Sequence, residues 1–211
     1  MEDVKIIFFD IDGTLIDMNK KVISEKMLTT LRALKEKNIL LCLATGRSPI
    51  ALPQFQDVDF DAYLTFNGSY CFNQTESIHE YPIPSSDIKQ IIENAQALNR
   101  PVAIATKDKT IANGKDDDSK ITAWWDRAVD IIPAAGGKGT GIRKMLDYYG
   151  LDRSQAIAFG DGNNDIEMLA AIDWGLAMDN ASEDLKAIAD EVIGHVAEDG
   201  IYQFCLENGL I

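Results

Sequence analysis

Val4-Lys5-Ile6-Ile7-Phe8-Phe9-Asp10-Ile11-Asp12-Gly13-Thr14 is the stretch from which the fold can be read. Its largely apolar, β-branched and aromatic run ends abruptly on acids and a glycine, as a strand buried on both faces ends. Further along, Ser24 is suited to cap a helix whose Met27, Leu28, Leu31 and Leu34 share one stripe and which stops at Asn38. Ile39 to Ala44 then repeats the buried strand and runs out into Thr45-Gly46-Arg47-Ser48, where Ser48 and Pro49 suit the start of another helix. Two strand-loop-helix units in succession predict a parallel sheet, in which ligands gather at the carboxyl ends of the strands.

The rhythm changes between Ser69 and Ala135. Short aromatic strands are expected at Tyr70 to Phe72 and Ile78 to Tyr81, followed by a helix after Ser85 with Ile88, Ile91, Ile92, Ala95 and Leu98 on one face. Pro101 to Thr106, Ile121 to Trp125 and Val129 to Ile132 read as further strands around a charged connection, Lys107 to Lys120. Alternation resumes with a helix over Thr140 to Tyr149, a strand over Ala156 to Phe159 and a helix through Leu169. A strand at Trp174 to Met178, a helix after Ser182, a strand at Glu191 to Gly194 and a last helix through Leu206 complete it. These segments predict an α/β fold: a doubly wound, three-layer parallel sheet from residues 1–68 and 136–211, with a small α+β module inserted at 69–135.

Composition excludes several classes of function. Of 211 residues, 46% are hydrophobic and 26% charged, which suits one globular domain with a full core or a core plus a small second domain. Thirty-four Asp and Glu against 20 Lys and Arg leave a net charge of -14, which repels phosphate backbones and anionic membranes and argues against nucleic-acid and membrane partners. The 2 histidines cannot build a multi-histidine metal site, and the 3 dispersed cysteines read as free thiols of a reducing compartment. With Glu2 and Asp3 at the start, no secretory signal and no apolar span, a cytoplasmic location is expected.

Four segments carry the chemistry, each at a strand-to-helix junction. Asp10 and Asp12 lie two apart where a strand runs out, so both can project into one pocket, and carboxylates so close need a cation or a proton between them. They suit a Mg²⁺ site in which one carboxylate doubles as a nucleophile, although an acidic turn shaped by Gly13 and Thr14 reads the same way. Thr45 and Gly46 offer a hydroxyl and backbone N–H groups to an anion, and Lys138 among glycines offers a point charge, though both patterns also occur as ordinary turns. Gly160-Asp161-Gly162-Asn163-Asn164-Asp165 adds further carboxylates and amides, without the spacing of a calcium-binding EF-hand loop. A parallel sheet brings all four junctions to one edge.

In this order, Phe9-Asp10-Ile11-Asp12-Gly13-Thr14-Leu15, Ala44-Thr45-Gly46-Arg47, Lys138-Gly139 and Gly160 to Asp165 resemble the four motifs of the haloacid dehalogenase (HAD) superfamily, and within it the Cof-type phosphatases. The resemblance implies an inserted cap of the class IIB kind at 69–135, here shortened. It also implies a Mg²⁺-dependent phosphatase acting on a small phosphorylated metabolite, a sugar phosphate or phosphoglycolate-like compound. Asp10 would be the nucleophile and Asp12 the general acid and base. Asp10, the backbone carbonyl of Asp12, and Asp161 would hold the metal. Thr45, Gly46, Lys138 and Asn164 would grip the phosphoryl oxygens, with Asp165 supporting them from behind. Arg47 reads as a solvated or structural arginine, and direct substrate contact by Tyr70, Trp124 or Trp125 competes with the more usual core role of aromatic strand residues. A phosphosugar mutase is the near alternative. A receiver-like phospho-acceptor module or a phosphate-binding protein without activity is the distant one.

Overall fold

The computed structural model describes residues 3–112 and 130–211. In chain order the elements are β1 (Ile6–Phe9), α1 (Glu25–Glu36), β2 (Leu40–Ala44), β3 (Ala62–Thr65), β4 (Tyr70–Asn73), β5 (Ser77–Glu80), α2 (Ser85–Ala97), β6 (Ala103–Ala105) and β7 (Thr110–Ala112), then α3 (Lys138–Tyr149), β8 (Ala156–Gly160), α4 (Ile166–Leu169), β9 (Trp174–Met178), α5 (Glu183–Lys186), β10 (Glu191–Ile193) and α6 (Gly200–Glu207). Eight strands form one sheet in the order β10-β9-β8-β1-β2-β3-β4-β5, and β6 pairs with β7 in a separate ribbon. From β10 to β3 every pairing is parallel, while β4 and β5 join antiparallel.

Alternation along the strands divides the core into two layers, because successive side chains leave opposite faces of a sheet. Ile7 and Phe9, with Leu41, Leu43, Ile157 and Phe159, face Met27, Leu28, Leu31 and Leu34 of α1 and Ile201 and Phe204 of α6. Ile6, Phe8, Ala156 and Ala158 face Ile142, Met145 and Leu146 of α3, together with Met168 of α4 and Leu185 of α5. Each large side chain so buried is worth about 1.5–3 kcal/mol relative to exposure, so both helical layers are held mainly by this sandwich. Three layers around a doubly wound sheet are what the alternation of segments predicts. No helix among the described residues is long and apolar enough to cross a membrane.

Helix α1 follows its sequence signals closely. The Ser24 hydroxyl accepts from the Met27 amide at 3.0 Å, and Asn38 takes a left-handed φ of 59° just beyond the last turn. The helix expected from Ser48 does not form. Only a single tight turn, Pro49–Ala51, appears, because Pro53 holds Leu52 in an extended conformation (ψ 133°) and blocks a second turn.

The two aromatic strands assigned to the inserted module instead extend the main sheet. Tyr63 of β3 pairs with Phe72 of β4, and Tyr70 of β4 with Glu80 of β5, so the chain leaves the sheet only after Glu80. Tyr70 stacks on Phe72, and the Lys107 ammonium lies 4.7 Å from its ring centre. Beyond the sheet, α2 and the β6–β7 ribbon are the elements of the insertion among the described residues. The expected strand at Ile121 to Trp125, with Trp124, lies outside those residues, and 130–132 are not in a strand. Cys42, Cys71 and Cys205 are all buried and unpaired.

Candidate active site

Order reverses between β8 and β1, the position where open α/β sheets form a ligand crevice at the carboxyl ends of their strands. Asp10 follows β1 directly, is 6% exposed, and donates its amide to the Phe159 carbonyl of β8 at 3.0 Å. The Lys138 ammonium, at the first position of α3, donates to Asp10 Oδ1 at 2.6 Å and to Asp165 Oδ1 at 2.5 Å. Asp165 is fully buried, and its other oxygen accepts from the Asp161 and Gly162 amides, both at 3.0 Å. Asp165 therefore shapes its own loop and anchors the lysine.

Asp161 closes the cluster. The Thr14 hydroxyl donates to its Oδ1 at 3.1 Å, and a side-chain carbon on Gly13 (φ 97°) would fall 2.1 Å from its Oδ2, so only glycine leaves room for this carboxylate. Oxygens of Asp10, Asp161 and Asp165 lie within 4.8 Å of one another, a grouping suited to a metal ion. Burial pushes the Asp10 carboxyl well above its ordinary range, Lys138 opposes this, and Asp165 and Asp161 add to it. Burial followed by the charge of Asp165 pushes Asp161 up to about 7. Three carboxylates thus face one lysine, and the donor set is all hard oxygen, which fits Mg²⁺ or a cation like it.

Asp12 sits apart from that cluster. Arg47 clamps its carboxylate from two nitrogens, Nε at 2.8 Å and Nη2 at 2.6 Å, while Nη1 donates to the Ala51 carbonyl at 3.0 Å. Arg47, which reads as a solvated or structural arginine, is a bidentate partner of the expected general acid, a geometry a lysine does not reproduce. The backbone carbonyl of Asp12, the group the resemblance assigns to the metal, is not engaged by this pair. Thr45 is 2% exposed and its hydroxyl accepts from the Arg47 amide at 3.1 Å, so its O–H remains for a ligand.

Asn67 is absent from the residues that sequence reasoning singles out. Phe66, Asn67 and Gly68 take consecutive positive φ values of 51°, 50° and 91° after β3, a strained turn for a bulky residue such as Phe66. The turn aims the Asn67 amide at the site: its Oδ1 accepts from Asn164 at 3.1 Å, and its Nδ2 donates to Asp130 Oδ2 at 3.2 Å. Asn67-Gly68 is a turn dipeptide, and that was the only available signal.

The geometry agrees with sequence comparison. The profile of the haloacid dehalogenase-like hydrolases matches residues 7–123 and 111–205. The chain belongs to that family. YkrA of Bacillus subtilis is 29% identical over 256 aligned positions covering 99% of both chains, and 5-amino-6-(5-phospho-D-ribitylamino)uracil phosphatase YitU of the same species is 26% identical over 96% of both. Among solved structures, the HAD phosphatase BT1666 of Bacteroides thetaiotaomicron superposes with a TM-score of 0.89 at 25% identity, over 99% of this chain and 96% of that one. The HAD subclass IIB sugar phosphatase BT4131 gives 0.89 at 26% identity, over 99% and 100%.

The protein is thus a Cof-type HAD phosphatase, a phosphoric monoester hydrolase, and the receiver-like alternative falls away. Since 256 aligned positions exceed 211 residues, at least 45 positions of YkrA have no counterpart here. The two profile matches overlap at 111–123, within the segment expected to be the insertion.

Proposed function

We propose that this HAD phosphatase is Mg²⁺-dependent and hydrolyses a small phosphomonoester, a sugar phosphate or phosphoglycolate-like compound, through a phosphorylated Asp10. The observation that carries this reading is the placement of Asp10: buried at the end of β1, one oxygen on Lys138, within the acidic cluster of Asp161 and Asp165. Asp10, Asp161 and the Asp12 backbone carbonyl would hold the ion. Bound there, Mg²⁺ supplies the positive charge that draws a phosphoryl group toward these carboxylates and stabilises it in transfer.

Lys138 fixes Oδ1 of Asp10 and leaves Oδ2 to attack phosphorus in line with the leaving oxygen. As the Oδ2–P bond forms and the P–O ester bond breaks, Asp12 gives its proton to the departing oxygen. Asp12 then takes a proton from water, whose oxygen displaces Asp10 from phosphorus and releases inorganic phosphate. Arg47 orients Asp12 while it is a carboxylate, and one of these two hydrogen bonds opens when that oxygen carries the proton. The Thr45 hydroxyl, the Gly46 amide, the Asn164 amide and the third N–H of Lys138 grip the phosphoryl oxygens.

The substrate is a small molecule rather than nucleic acid or a lipid surface, in keeping with a net charge of -14. Three unpaired thiols suit the cytoplasm. Phosphate release from a panel of monoesters with Mg²⁺ tests the reading. Asp10→Asn should cut turnover by more than about 100-fold with an unchanged thermal melt, and EDTA should silence the wild type until Mg²⁺ is restored. Full activity in chelator, or in the Asp10 variant, would remove the metal or the nucleophile from the scheme.

A further inference from the structure

One acidic side chain at the site has no part in the chemistry above. Asp130, on the segment returning from the insertion to α3, places Oδ2 3.2 Å from the Asn67 amide nitrogen. A side-chain carbon on Gly46 would lie 3.4 Å from the same oxygen and 3.2 Å from the Asn67 amide. Gly46, Asn67 and Asp130 therefore form one wall beside the phosphate cradle, and Asn67 ties that wall to Asn164 at 3.1 Å. The residue is exposed overall, and among the described residues no lysine or arginine pairs with it and nothing hydrogen-bonds to Oδ1. One oxygen is held by the protein, and among the described residues the other takes no hydrogen bond, which leaves it able to accept from a ligand.

We infer that Asp130 is a specificity-determining residue that reads the leaving group of the substrate. This inference rests on the phosphatase reading above. Seated next to Gly46, the carboxylate accepts from a hydroxyl or ammonium group a few atoms from the phosphoester. A second phosphate or a carboxylate at the same place meets a negative charge with which no lysine or arginine among the described residues pairs. The substrate class is accordingly a monophosphate with hydroxyl or amino donors close to the ester, such as a sugar or amino-sugar phosphate. Bisphosphates and phosphoglycolate-like acids are disfavoured.

The test measures kcat/KM with Mg²⁺ for glucosamine 6-phosphate, fructose 1,6-bisphosphate, phosphoglycolate and p-nitrophenyl phosphate, using the wild type, Asp130→Asn and Asp130→Lys. Asparagine keeps the acceptor for Asn67 and removes only the charge, and a thermal melt reports whether each variant folds. In the wild type the amino-sugar phosphate should exceed both anionic substrates by about tenfold or more; Asp130→Asn should shrink that ratio about tenfold, and Asp130→Lys should invert it. A wild type that takes the bisphosphate as readily, ratios unchanged in both variants, or an equal loss on every substrate each overturns the role of Asp130 while leaving the phosphatase standing. A wild type that hydrolyses none of the four overturns the phosphatase reading itself.

Discussion

Lys138 is the residue on which the local electrostatics turn. Burial works against its charge, yet Asp10 and Asp165 outweigh burial and raise its pKa, so the ammonium is permanent at any working pH. Removing it strands two buried carboxylates, and Lys138→Met should cost about 3–5 kcal/mol in urea unfolding as well as activity. A loss under 1 kcal/mol would mean that water replaces the lysine freely. Asp161 shows the opposite balance. Its folded-state pKa, about 7, lies above the ordinary aspartate value of about 3.9, so the folded protein holds a proton that the unfolded chain releases between those pH values. Stability of the metal-free protein should therefore fall as pH rises through that window. Asp161→Asn should unfold later than wild type at pH 8 in EDTA, by on the order of 1–3 kcal/mol, and gain little at pH 4. Equal stabilities at pH 8 would show that the carboxylate is not penalised. Legibility at this scale was uneven. Asp10, Asp161 and Asp165 stood out because acids at the ends of apolar strands need a reason. Arg47 and Asn67 did not, since their partners Asp12 and Asn164 lie 35 and 97 residues away and no local pattern points to them.

At the scale of elements, α3 sets the position of the lysine through close backbone contact. A side-chain carbon on Gly139 would come 2.4 Å from the Glu167 carbonyl oxygen of α4, and that backbone cannot swing aside as a side-chain tip can. Gly139→Ala should destabilise by about 1–3 kcal/mol despite alanine's better helix propensity, and should displace Lys138 enough to lower kcat. Gly150 offers the contrast: nothing lies within 4 Å, and only its left-handed φ of 64° resists substitution, so Gly150→Ala should cost about 1–2 kcal/mol with kcat untouched. Equal effects of the two variants on kcat, read beside their urea midpoints, would deny α3 this role. Elements were legible where local signals sufficed, as with the Ser24 cap of α1. They were misplaced where a distant partner decided, because the composition of β4 and β5 announces strands but not the sheet they join. β3 escaped notice altogether, being four residues set between Asp61 and a turn, too short to show a period.

At one sheet edge three carboxylates, Asp10, Asp161 and Asp165, gather around Lys138, and a cation bound there should be visible in the stability of the whole molecule. Saturating Mg²⁺ at pH 8 should raise the melting temperature of the wild type by several degrees, since a ligand at about 100 times its Kd stabilises by roughly 2.7 kcal/mol. The same addition should leave Asp161→Asn nearly unmoved, and an equal rise in both would place the ion elsewhere. Membership of the superfamily and the three-layer plan were open to sequence reasoning, because four short motifs in fixed order constrain a topology. Which side chains border the leaving group was not, since that depends on where the insertion re-enters the core. The buried cysteines have a practical consequence. Burial raises the Cys42 thiol well above its usual range and pushes Cys71 and Cys205 up to about 12, so all three should ignore maleimides and other alkylating dyes under native conditions. A single cysteine engineered at exposed Leu98, past the end of α2, would then be the lone reactive handle on the native background, and a fluorophore attached there would report changes around the end of α2 during turnover.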